Sequence, residues 1–442
     1  MRVRKSSKRL FFLISAATIS LLVLLHPSTR CIATAARDTY EQLEAFASII
    51  SIVQKHYVEE VDTENLVTGA INGMISSLDP HSAYLTPELY KELQIDTRGS
   101  FGGLGIEITM KDDVLTIIAP LEDTPAWREG IKPGDRIVKI DGQLTKGMSL
   151  MKAVSLMRGL KGTQVTLSIG REGEPQLLDM TITREVIKIK SVKGARLYSG
   201  RYGYVRLAQF QENSAQELAA ALEKLEKDSD GGLEGLVLDL RNNPGGLLDQ
   251  AVQVADLFLD AGLIVYTDGR IETQNQRFYA DADGTVANFP VVVLVNNGSA
   301  SASEIVAGAL QDHHRAVVLG TTTFGKGSVQ TILPLDGQSA LRLTTARYYT
   351  PSGRSIQATG ITPDVVVEPA MVLANAASSS LSVREADLVG HMENGTDQAA
   401  RSEEDASEDV QLQRGLDLLK TWRVFSKVAH FSAPTGEFPE QP

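Results

Sequence analysis

The chain has 442 residues, which is enough for two or three domains, and 22% of them are charged, as in an ordinary globular protein. Its formal net charge of −12 argues against a nucleic acid as a partner, because an acidic surface is repelled by phosphates. Cys31 is the only cysteine, so no internal disulfide is expected and stability must come from the core. No His-Glu-x-x-His or paired-cysteine pattern occurs, and we expect no metal and no other cofactor.

The first 36 residues are typical of an export signal. Basic side chains precede an apolar run at residues 10–25, and Ala33-Thr34-Ala35 then offers a small-x-small cleavage site. The run is short for a membrane span of about 20 residues, so we predict a signal peptide, with an uncleaved membrane anchor as the alternative. We therefore expect the protein in a bacterial cell envelope, in the periplasm or anchored in the inner membrane.

Residues 37–97 are predicted to form a helical region. Asp62 is expected to cap a second helix, and Thr86-Pro87 to begin a third. Before these helices, apolar side chains recur every three or four positions in one stripe, namely Leu43, Phe46, Ile50, Val53 and Tyr57. The stripe either packs within its own domain or forms a homodimer or higher homo-oligomer.

Residues 189–369 alternate between strand and helix patterns, which indicates an α/β core. A predicted strand at 291–295 leads through a turn with Ser299, Ser301 and Ser303 into a helix at about 302–313. Backbone N–H groups at such a turn have no intrahelical partner and could stabilise an oxyanion. Ser301 to Glu304 also fits a capping box, in which the serine only caps the helix.

Lys326 lies between Gly325 and Gly327 and is the nearest downstream candidate for a base. A lone lysine in a glycine turn is, in general, a solvated loop residue. Spacing alone therefore leaves a Ser/Lys dyad as the minority interpretation.

Several blocks in this region occur in the order of a known family. LDLRNNPGG at 238–246, GSASASEIVAGALQD at 298–312, TFGKGSVQ at 323–330 and READLVGHMEN at 384–394 resemble the carboxyl-terminal processing proteases, the tail-specific Ser/Lys peptidases of family S41. The resemblance implies a crotonase/ClpP-like α/β protease core within a multidomain α/β protein. It also implies that Ser301 is the nucleophile, Lys326 the general base and Gln330 the residue that orients the lysine.

The chemistry of the residues agrees with these roles. A lysine acts as a base only when it is neutral, and Gln330 could hold the amine by a hydrogen bond without favouring its charged form. If residues 326–330 are extended, Lys326, Ser328 and Gln330 share one face. By analogy with the family, the oxyanion hole combines the N–H of Ala302 with that of Gly246 or Gly245.

Residues 98–188 resemble a PDZ domain, a β-rich fold with two helices, inserted before the protease core. The resemblance rests on GGLGIEI at 102–108, on a glycine-containing block at 124–142 and on a helix at about 150–158. The glycine turn lacks the lysine and serine or threonine of a P-loop, so phosphate binding is disfavoured. A PDZ domain binds an extended peptide at a sheet edge and its terminal carboxylate at the turn. The matching positions are Gly102, Gly103, Leu104, Gly105 and Ile106. Leu104, Ile106, Val154 and Met157 are expected to form an apolar pocket for the last side chain of the substrate.

Arg158 is expected at the end of the PDZ helix. We hypothesise that it contacts the substrate carboxylate or the protease core and reports occupancy of the PDZ domain. The alternative is a solvated arginine that the helix dipole favours. In the block at 238–246 of the α/β core, Asp239 and Arg241 are expected to form a structural pair, and Asp239 is not expected to belong to a catalytic triad.

Residues 370–442 are predicted to be an acidic linker followed by a C-terminal helix at 412–425 that docks back. Together these features predict an envelope serine endopeptidase that captures unstructured protein C-termini in its PDZ domain and cleaves near them. A lipoprotein adaptor or activator is a further candidate partner. The main alternative is a PDZ-containing adaptor or chaperone with a regulated or inactive core; an acyl-CoA enzyme of the crotonase type is disfavoured by the PDZ domain and the export signal.

Overall fold

The computed structural model describes residues 27–111, 114–286, 289–335, 338–369 and 409–431, with side chains from Tyr40 to Phe425 within these ranges. The apolar run of the predicted signal and nearly all of the predicted acidic linker lie outside the described residues. In the part of the chain that is described, no helix is long and apolar enough to cross a membrane. The chain forms two compact units, which meet in the sequence between Ser77 and Leu78.

The helices in chain order are α1 (Pro27–His56), α2 (Thr63–Ser76), α3 (Pro87–Arg98), α4 (Pro125–Arg128), α5 (Leu150–Met157), α6 (Ser214–Asp228), α7 (Leu248–Asp256), α8 (Ala302–Asp312) and α9 (Val410–Phe431). The strands are β1 (Ala83–Leu85), β2 (Ser100–Gly103), β3 (Ile106–Lys111), β4 (Val114–Pro120), β5 (Arg136–Ile140), β6 (Gln143–Leu144), β7 (Gln164–Gly170), β8 (Leu178–Thr183), β9 (Glu185–Lys188), β10 (Val192–Tyr198), β11 (Tyr202–Leu207), β12 (Gly235–Asp239), β13 (Gly262–Gly269), β14 (Arg277–Ala280), β15 (Val291–Val295), β16 (Ala316–Gly320), β17 (Ser328–Pro334), β18 (Ala340–Tyr349) and β19 (Val365–Val366).

The first unit contains α1 and α2, whose ends follow local signals. Asp62 caps α2 as predicted, since its carboxylate accepts a hydrogen bond from the N–H of Glu64 at 3.2 Å. The apolar stripe runs along α1 to Tyr57, the residue after it, and three of its five side chains are exposed: Leu43 by 56%, Phe46 by 42% and Tyr57 by 60%. This exposure leaves the stripe available for an association.

One short strand interrupts the region that was predicted to be helical throughout. After α2 ends at Ser76, the chain passes Pro80 and forms β1, which pairs antiparallel with β18. Proline lacks an N–H and disfavours helical backbone at the residue before it, so the helix cannot continue here. The third predicted helix then begins as expected, as α3, with the Thr86 hydroxyl accepting from the N–H of Leu89.

The PDZ region forms a sheet with strand order β3-β4-β5-β7-β8, and β6 pairs with β5. Alternate side chains of these strands pack with α4 and α5 into a core that includes Leu115, Ile137 and Leu167. Among the described strands, β3 pairs with β4 alone, so the other backbone edge of β3 is open within this part of the chain. The fold is thus β-rich with two helices, as expected.

The α/β core at residues 189–369 contains two sheets. The larger has the order β10-β11-β12-β15-β16-β19 and is parallel from β11 onward. Both faces of its central strand β15 are buried. Val291 and Val293 pack with α6, α7 and α8, whereas Val292 and Leu294 pack on the opposite face with Leu412, Leu416 and Leu419. Such continuous apolar strands are typical of a parallel sheet that is covered on both sides.

The second sheet is antiparallel, with β18 between β1 and β13, β14 beyond β13, and β17 also paired with β18. Val265 of β13 and Tyr348 of β18 join the core formed by the larger sheet and the helices α6 to α8. The strand predicted at 291–295 is confirmed as β15, and the helix predicted at about 302–313 is confirmed as α8, which ends one residue earlier.

The C-terminal helix α9 covers the remaining face of the larger sheet. Leu412, Leu416 and Leu419 are at most 6% exposed and pack in the cluster that contains Val237 and Val292. The prediction that this helix docks back onto the molecule is confirmed. The C-terminal helix, although far away in sequence, therefore covers the face of the larger sheet that is opposite α6, α7 and α8.

Candidate active site

The turn between β15 and α8 distinguishes its three serines. Ser299 and Ser303 are fully buried, and their hydroxyls donate to backbone carbonyls: Ser299 to Leu240 at 2.7 Å and Ser303 to Asn243 at 2.9 Å. These two serines attach the turn to the loop after β12. Ser301 is partly exposed instead, so its hydroxyl is the one that a substrate could reach.

Ser301 has an unusual backbone conformation. Its φ of 53° and ψ of −112° lie in a region that favours glycine, and it directly precedes the first helical residue, Ala302. Backbone strain of this kind is maintained only where the surroundings enforce it, and it is concentrated at functional sites. The turn therefore presents Ser301 beside the N–H groups at the start of α8.

Glu304 joins this turn to the lysine loop. Its side chain is fully buried, and its Oε2 accepts hydrogen bonds from two backbone N–H groups, that of Ser301 at 2.7 Å and that of Lys326 at 2.9 Å. Its Oε1 accepts from the N–H of Gly325 at 2.8 Å and from the hydroxyl of Thr323 at 2.5 Å. One carboxylate thus binds the backbones of both candidate catalytic residues.

Sequence reasoning assigned Glu304 only to a capping box. The glutamate half of that box is formed, but the same carboxylate has the larger role of binding residues 323–326. Burial raises the pKa of Glu304 to about 7, although the four donated hydrogen bonds oppose this shift. All four partners donate to the carboxylate, so their hydrogen bonds favour its ionised form while burial favours its protonated form.

Lys326 and Gln330 belong to the segment that Glu304 binds and to the strand that follows it. Lys326 is in the loop between β16 and β17, and β17 begins at Ser328, so the regular strand includes Ser328 and Gln330 but not Lys326. The reason is that the backbone N–H of Lys326 binds Glu304 and that of Gly327 binds the Gln357 side chain at 3.0 Å. Ser328 and Gln330 are nevertheless adjacent, since Gln330 Nε2 donates to Ser328 Oγ at 2.8 Å.

The two glycines considered for the oxyanion hole differ in their hydrogen bonding. The N–H of Gly245 donates to Asn243 Oδ1 at 2.9 Å, whereas those of Gly246 and Ala302 find no acceptor among the described residues. A Cβ atom at Gly245, where φ is 97°, would lie 2.7 Å from the Ala300 carbonyl oxygen and 2.9 Å from the Ala302 nitrogen. The glycine loop therefore abuts the Ser301 turn and leaves two N–H donors unused.

Asp239 and Arg241 form the structural pair that was predicted. Arg241 Nη2 lies 2.7 Å from Asp239 Oδ2, which also accepts from the Tyr204 hydroxyl at 2.9 Å. Arg241 binds Asp409 as well, at 2.7 Å, just before α9. The pair thus links the glycine loop to the C-terminal helix. Within the described residues no three His, Cys, Asp or Glu side chains gather to hold a metal ion.

The PDZ turn leaves backbone donors unused beside the open edge of β3. The carbonyls of Leu104 and Gly105 accept from Ala126 at 2.9 Å and Leu121 at 2.8 Å, but the N–H groups of Leu104 and Gly105 have no acceptor in the described part of the chain. The matching residues Gly102 and Gly103 belong instead to β2, paired with β9.

The side chains expected to form the PDZ pocket differ in exposure. Leu104 and Met157 are 2% and 5% exposed and belong to the domain core, while Ile106 and Val154 are partly exposed. The accessible part of the expected pocket therefore consists of Ile106 and Val154.

Arg158 does not have the solvated environment that the alternative interpretation gave it. Its guanidinium forms an ion pair with Glu92 of α3 and lies 4.4 Å from the centre of the Phe101 ring, and its side chain is only 20% exposed. It is therefore not a solvated residue, and its charged partner lies on α3. The carboxylate and the aromatic ring, which come close only in the folded chain, explain the difference.

Three protein-family models match different parts of this chain. The model of peptidase family S41 matches residues 201–367, that of the PDZ domain residues 92–170, and that of the activating protease CtpB N-terminal domain residues 27–88. A carboxy-terminal-processing protease from Bartonella bacilliformis is 48% identical over 391 residues, covering 87% of this chain and 89% of the relative.

Two further proteins are similar to this chain. The carboxy-terminal processing protease CtpA from Bacillus subtilis is 39% identical over 321 residues, covering 72% of this chain and 67% of the relative. The solved structure of a photosystem II D1 C-terminal processing protease is 35% identical, covers 71% of this chain and 84% of that one, and superposes with a TM-score of 0.43. On the sequence identity and coverage, this chain belongs to the carboxy-terminal processing proteases of peptidase family S41 and is a serine-type peptidase with a PDZ domain.

Proposed function

We propose that this protein is a serine endopeptidase of the bacterial cell envelope, which binds unstructured protein C-termini through its PDZ domain and cleaves near them with a Ser301/Lys326 dyad. The observation that carries the proposal is the shared oxygen of Glu304, which accepts hydrogen bonds from the backbone N–H groups of both residues. A buried carboxylate in this position keeps the serine turn and the lysine loop in contact.

In the proposed reaction, the Ser301 hydroxyl attacks the carbonyl carbon of the scissile peptide bond while the neutral amine of Lys326 accepts its proton. The N–H groups of Ala302 and Gly246 stabilise the oxyanion, and such a donor is worth about 3 kcal/mol in the transition state. The Lys326 ammonium then protonates the leaving amine. Water attacks the acyl-enzyme carbonyl while Lys326 accepts a proton from it, and Lys326 then returns this proton to the Ser301 oxygen as the bond to the new carboxyl group breaks.

Gln330 is proposed to orient the lysine amine. A lysine base must be neutral near pH 8, about 2 units below its ordinary pKa, at a cost of roughly 3 kcal/mol. A carboxylate at this position would favour the ammonium, whereas an uncharged amide holds the amine without doing so. The position of Gln330 beside Ser328, on the strand that follows the lysine loop, is consistent with this role.

The PDZ domain is proposed to capture the substrate's C-terminus. An extended peptide would add to the open edge of β3 next to α5, and its carboxylate would accept from the unused N–H groups of Leu104 and Gly105. Ile106 and Val154 are the accessible apolar side chains for its last residue. Of the other matching glycines, Gly102 and Gly103 would shape the turn from β2.

The cellular setting is part of the same proposal. The basic and apolar start of the chain supports export to the periplasm, and the exposed stripe on α1 supports a homodimer or higher homo-oligomer. A lipoprotein adaptor or activator is a further partner that we propose, while the net charge of −12 argues against nucleic acid. The residue boundaries of the regions are proposed as 1–36, 37–97, 98–188, 189–369 and 370–442.

The test is degradation of one unfolded protein that carries either an apolar or a charged C-terminus, with chelator present. We expect the wild type to prefer the apolar tail, and folded Ser301→Ala and Lys326→Ala variants to lose cleavage entirely. Lys227→Ala is the matched control, because Lys227 is a surface residue with a 70% exposed side chain. Full cleavage by Lys326→Ala would overturn the mechanism. Binding of the apolar tail without cleavage by the wild type would favour the adaptor or chaperone alternative.

A further inference from the structure

A second buried carboxylate lies near Gln330 and is not part of the dyad described above. Asp79, in the segment between α2 and β1, is 6% exposed. Its Oδ1 accepts from the N–H groups of His81 and Ser82, both at 2.8 Å, and its Oδ2 accepts from the hydroxyl of Ser82 at 2.7 Å. A fourth hydrogen bond comes from across the sheet, since Thr344 Oγ1 donates to Asp79 Oδ1 at 3.1 Å.

The donor and acceptor roles in this cluster follow from the carboxylate. An ionised Asp79 only accepts, so the hydroxyls of Ser82 and Thr344 both direct their hydrogens to it. Burial raises the pKa of Asp79, but the hydrogen bonds from Ser82, His81 and Thr344 outweigh it and lower the pKa below its ordinary value. Because the Thr344 hydroxyl donates its hydrogen to Asp79, its oxygen can only accept a hydrogen bond from a further group.

The next member of the chain of hydrogen bonds is Gln330. An irregularity in the register between β17 and β18 places Gln330 directly opposite Thr344, although Val329 is opposite Ala346. Gln330 Nε2 donates to Thr344 Oγ1 at 3.5 Å and to Ser328 Oγ at 2.8 Å. Both hydrogens of the Gln330 side-chain NH2 group are used in these two hydrogen bonds, so the side-chain carbonyl oxygen is the atom that can accept from another group.

We propose that Asp79 is a positioning residue of the active site: acting through Thr344, it selects the orientation of the Gln330 amide that offers its carbonyl oxygen to the Lys326 amine. This inference rests on the proposed Ser/Lys mechanism. A carbonyl accepts an N–H of the amine and leaves the nitrogen lone pair to take the proton of Ser301. The reversed amide would donate to that lone pair and compete with the serine.

The experiment compares Thr344→Val with Thr345→Val in the full-length enzyme, using an unfolded protein substrate. Valine keeps the shape of threonine but removes the hydroxyl. Thr345 is the matched control, because it lies beside Thr344 on β18 and its hydroxyl pairs with that of Thr331 at 2.7 Å. We expect Thr344→Val to lower kcat by roughly 10- to 100-fold with an unchanged KM. We also expect Thr344→Ser to restore kcat and Thr345→Val to resemble the wild type.

A double-mutant cycle separates positioning from a general loss of structure. If Asp79 and Thr344 act through Gln330, then Thr344→Val and Asp79→Asn should cause little further loss in a Gln330→Ala background. Wild-type kcat in Thr344→Val, or a full effect that persists without Gln330, overturns the inference. Should Asp79→Asn fail to fold, as judged by thermal unfolding, the Thr344 variants decide alone. The parallel Lys326→Ala variant distinguishes the two failures, since its full activity would refute the dyad itself.

Discussion

Two buried carboxylates, Glu304 and Asp79, each accept four hydrogen bonds, yet their pKa values move in opposite directions. Glu304 is fully buried and its pKa rises to about 7, whereas Asp79 keeps 6% exposure and its pKa falls below the ordinary value. The number of donors is the same, so the depth of burial decides the sign. Glu304 binds the backbones of the proposed dyad, and Asp79 reaches only the side chain proposed to orient it.

The largest expected effect is that of Glu304→Gln. A glutamine replaces one acceptor oxygen by an NH2 group that faces donors, so buried N–H groups lose their partner. We expect the free energy of unfolding to fall by about 2 to 4 kcal/mol and kcat to fall by roughly 100-fold, measured by denaturant titration and substrate cleavage. The matched control is Glu223→Gln, at a side chain that is 67% exposed. Wild-type kcat in a folded Glu304→Gln variant would contradict the role of this hub.

A substitution at α9 sharpens the comparison by lowering stability without touching either carboxylate. Leu416 is 3% exposed and packs against the face of the sheet away from α8. We expect Leu416→Ala to lower the free energy of unfolding by about 2 to 4 kcal/mol, because it leaves a cavity. The kcat of the folded variant should stay within about twofold of the wild type. A drop in kcat as large as that of Glu304→Gln would show that global stability alone governs activity.

The pH dependence of stability should differ in sign between the two carboxylates. Because the folded pKa of Glu304 is raised, its contribution to stability is full below about pH 4.5 and is lost as the pH rises to about 7. Because the folded pKa of Asp79 is lowered, its contribution is present above its unfolded pKa of about 4 and is lost as the pH falls below it.

Denaturant titration from pH 3 to pH 8 measures both slopes, by comparing the wild type with Glu304→Gln and Asp79→Asn. Each variant should lose only the pH dependence that its own carboxylate causes. The change in the free energy of unfolding that disappears with Glu304 should be the larger of the two, at most about 3 kcal/mol over the whole range. Equal slopes in the wild type and the Glu304→Gln variant would show that its carboxylate is not linked to folding in this range.

The sequence by itself determined the elements that depend on local signals. Asp62 and Thr86 begin helices because their side chains accept from N–H groups within three residues, and continuous apolar residues form the buried strand β15. The candidates Ser301, Lys326 and Gln330 came from blocks that resemble a family, and the order of those blocks also indicated the PDZ domain and the α/β core.

Only the tertiary structure decided which groups meet across the chain. Glu304 looked like a cap, and its contact with Lys326 exists because the lysine loop folds back over the start of α8. Gln330 faces Thr344 because of one irregularity in strand register, which no residue pattern announces. The ion pair of Arg158 with Glu92 and the hydrogen bond of Thr344 to Asp79 likewise join segments far apart in sequence. Local sequence specifies helix ends and buried strands, whereas register and loop packing decide which polar atoms become partners.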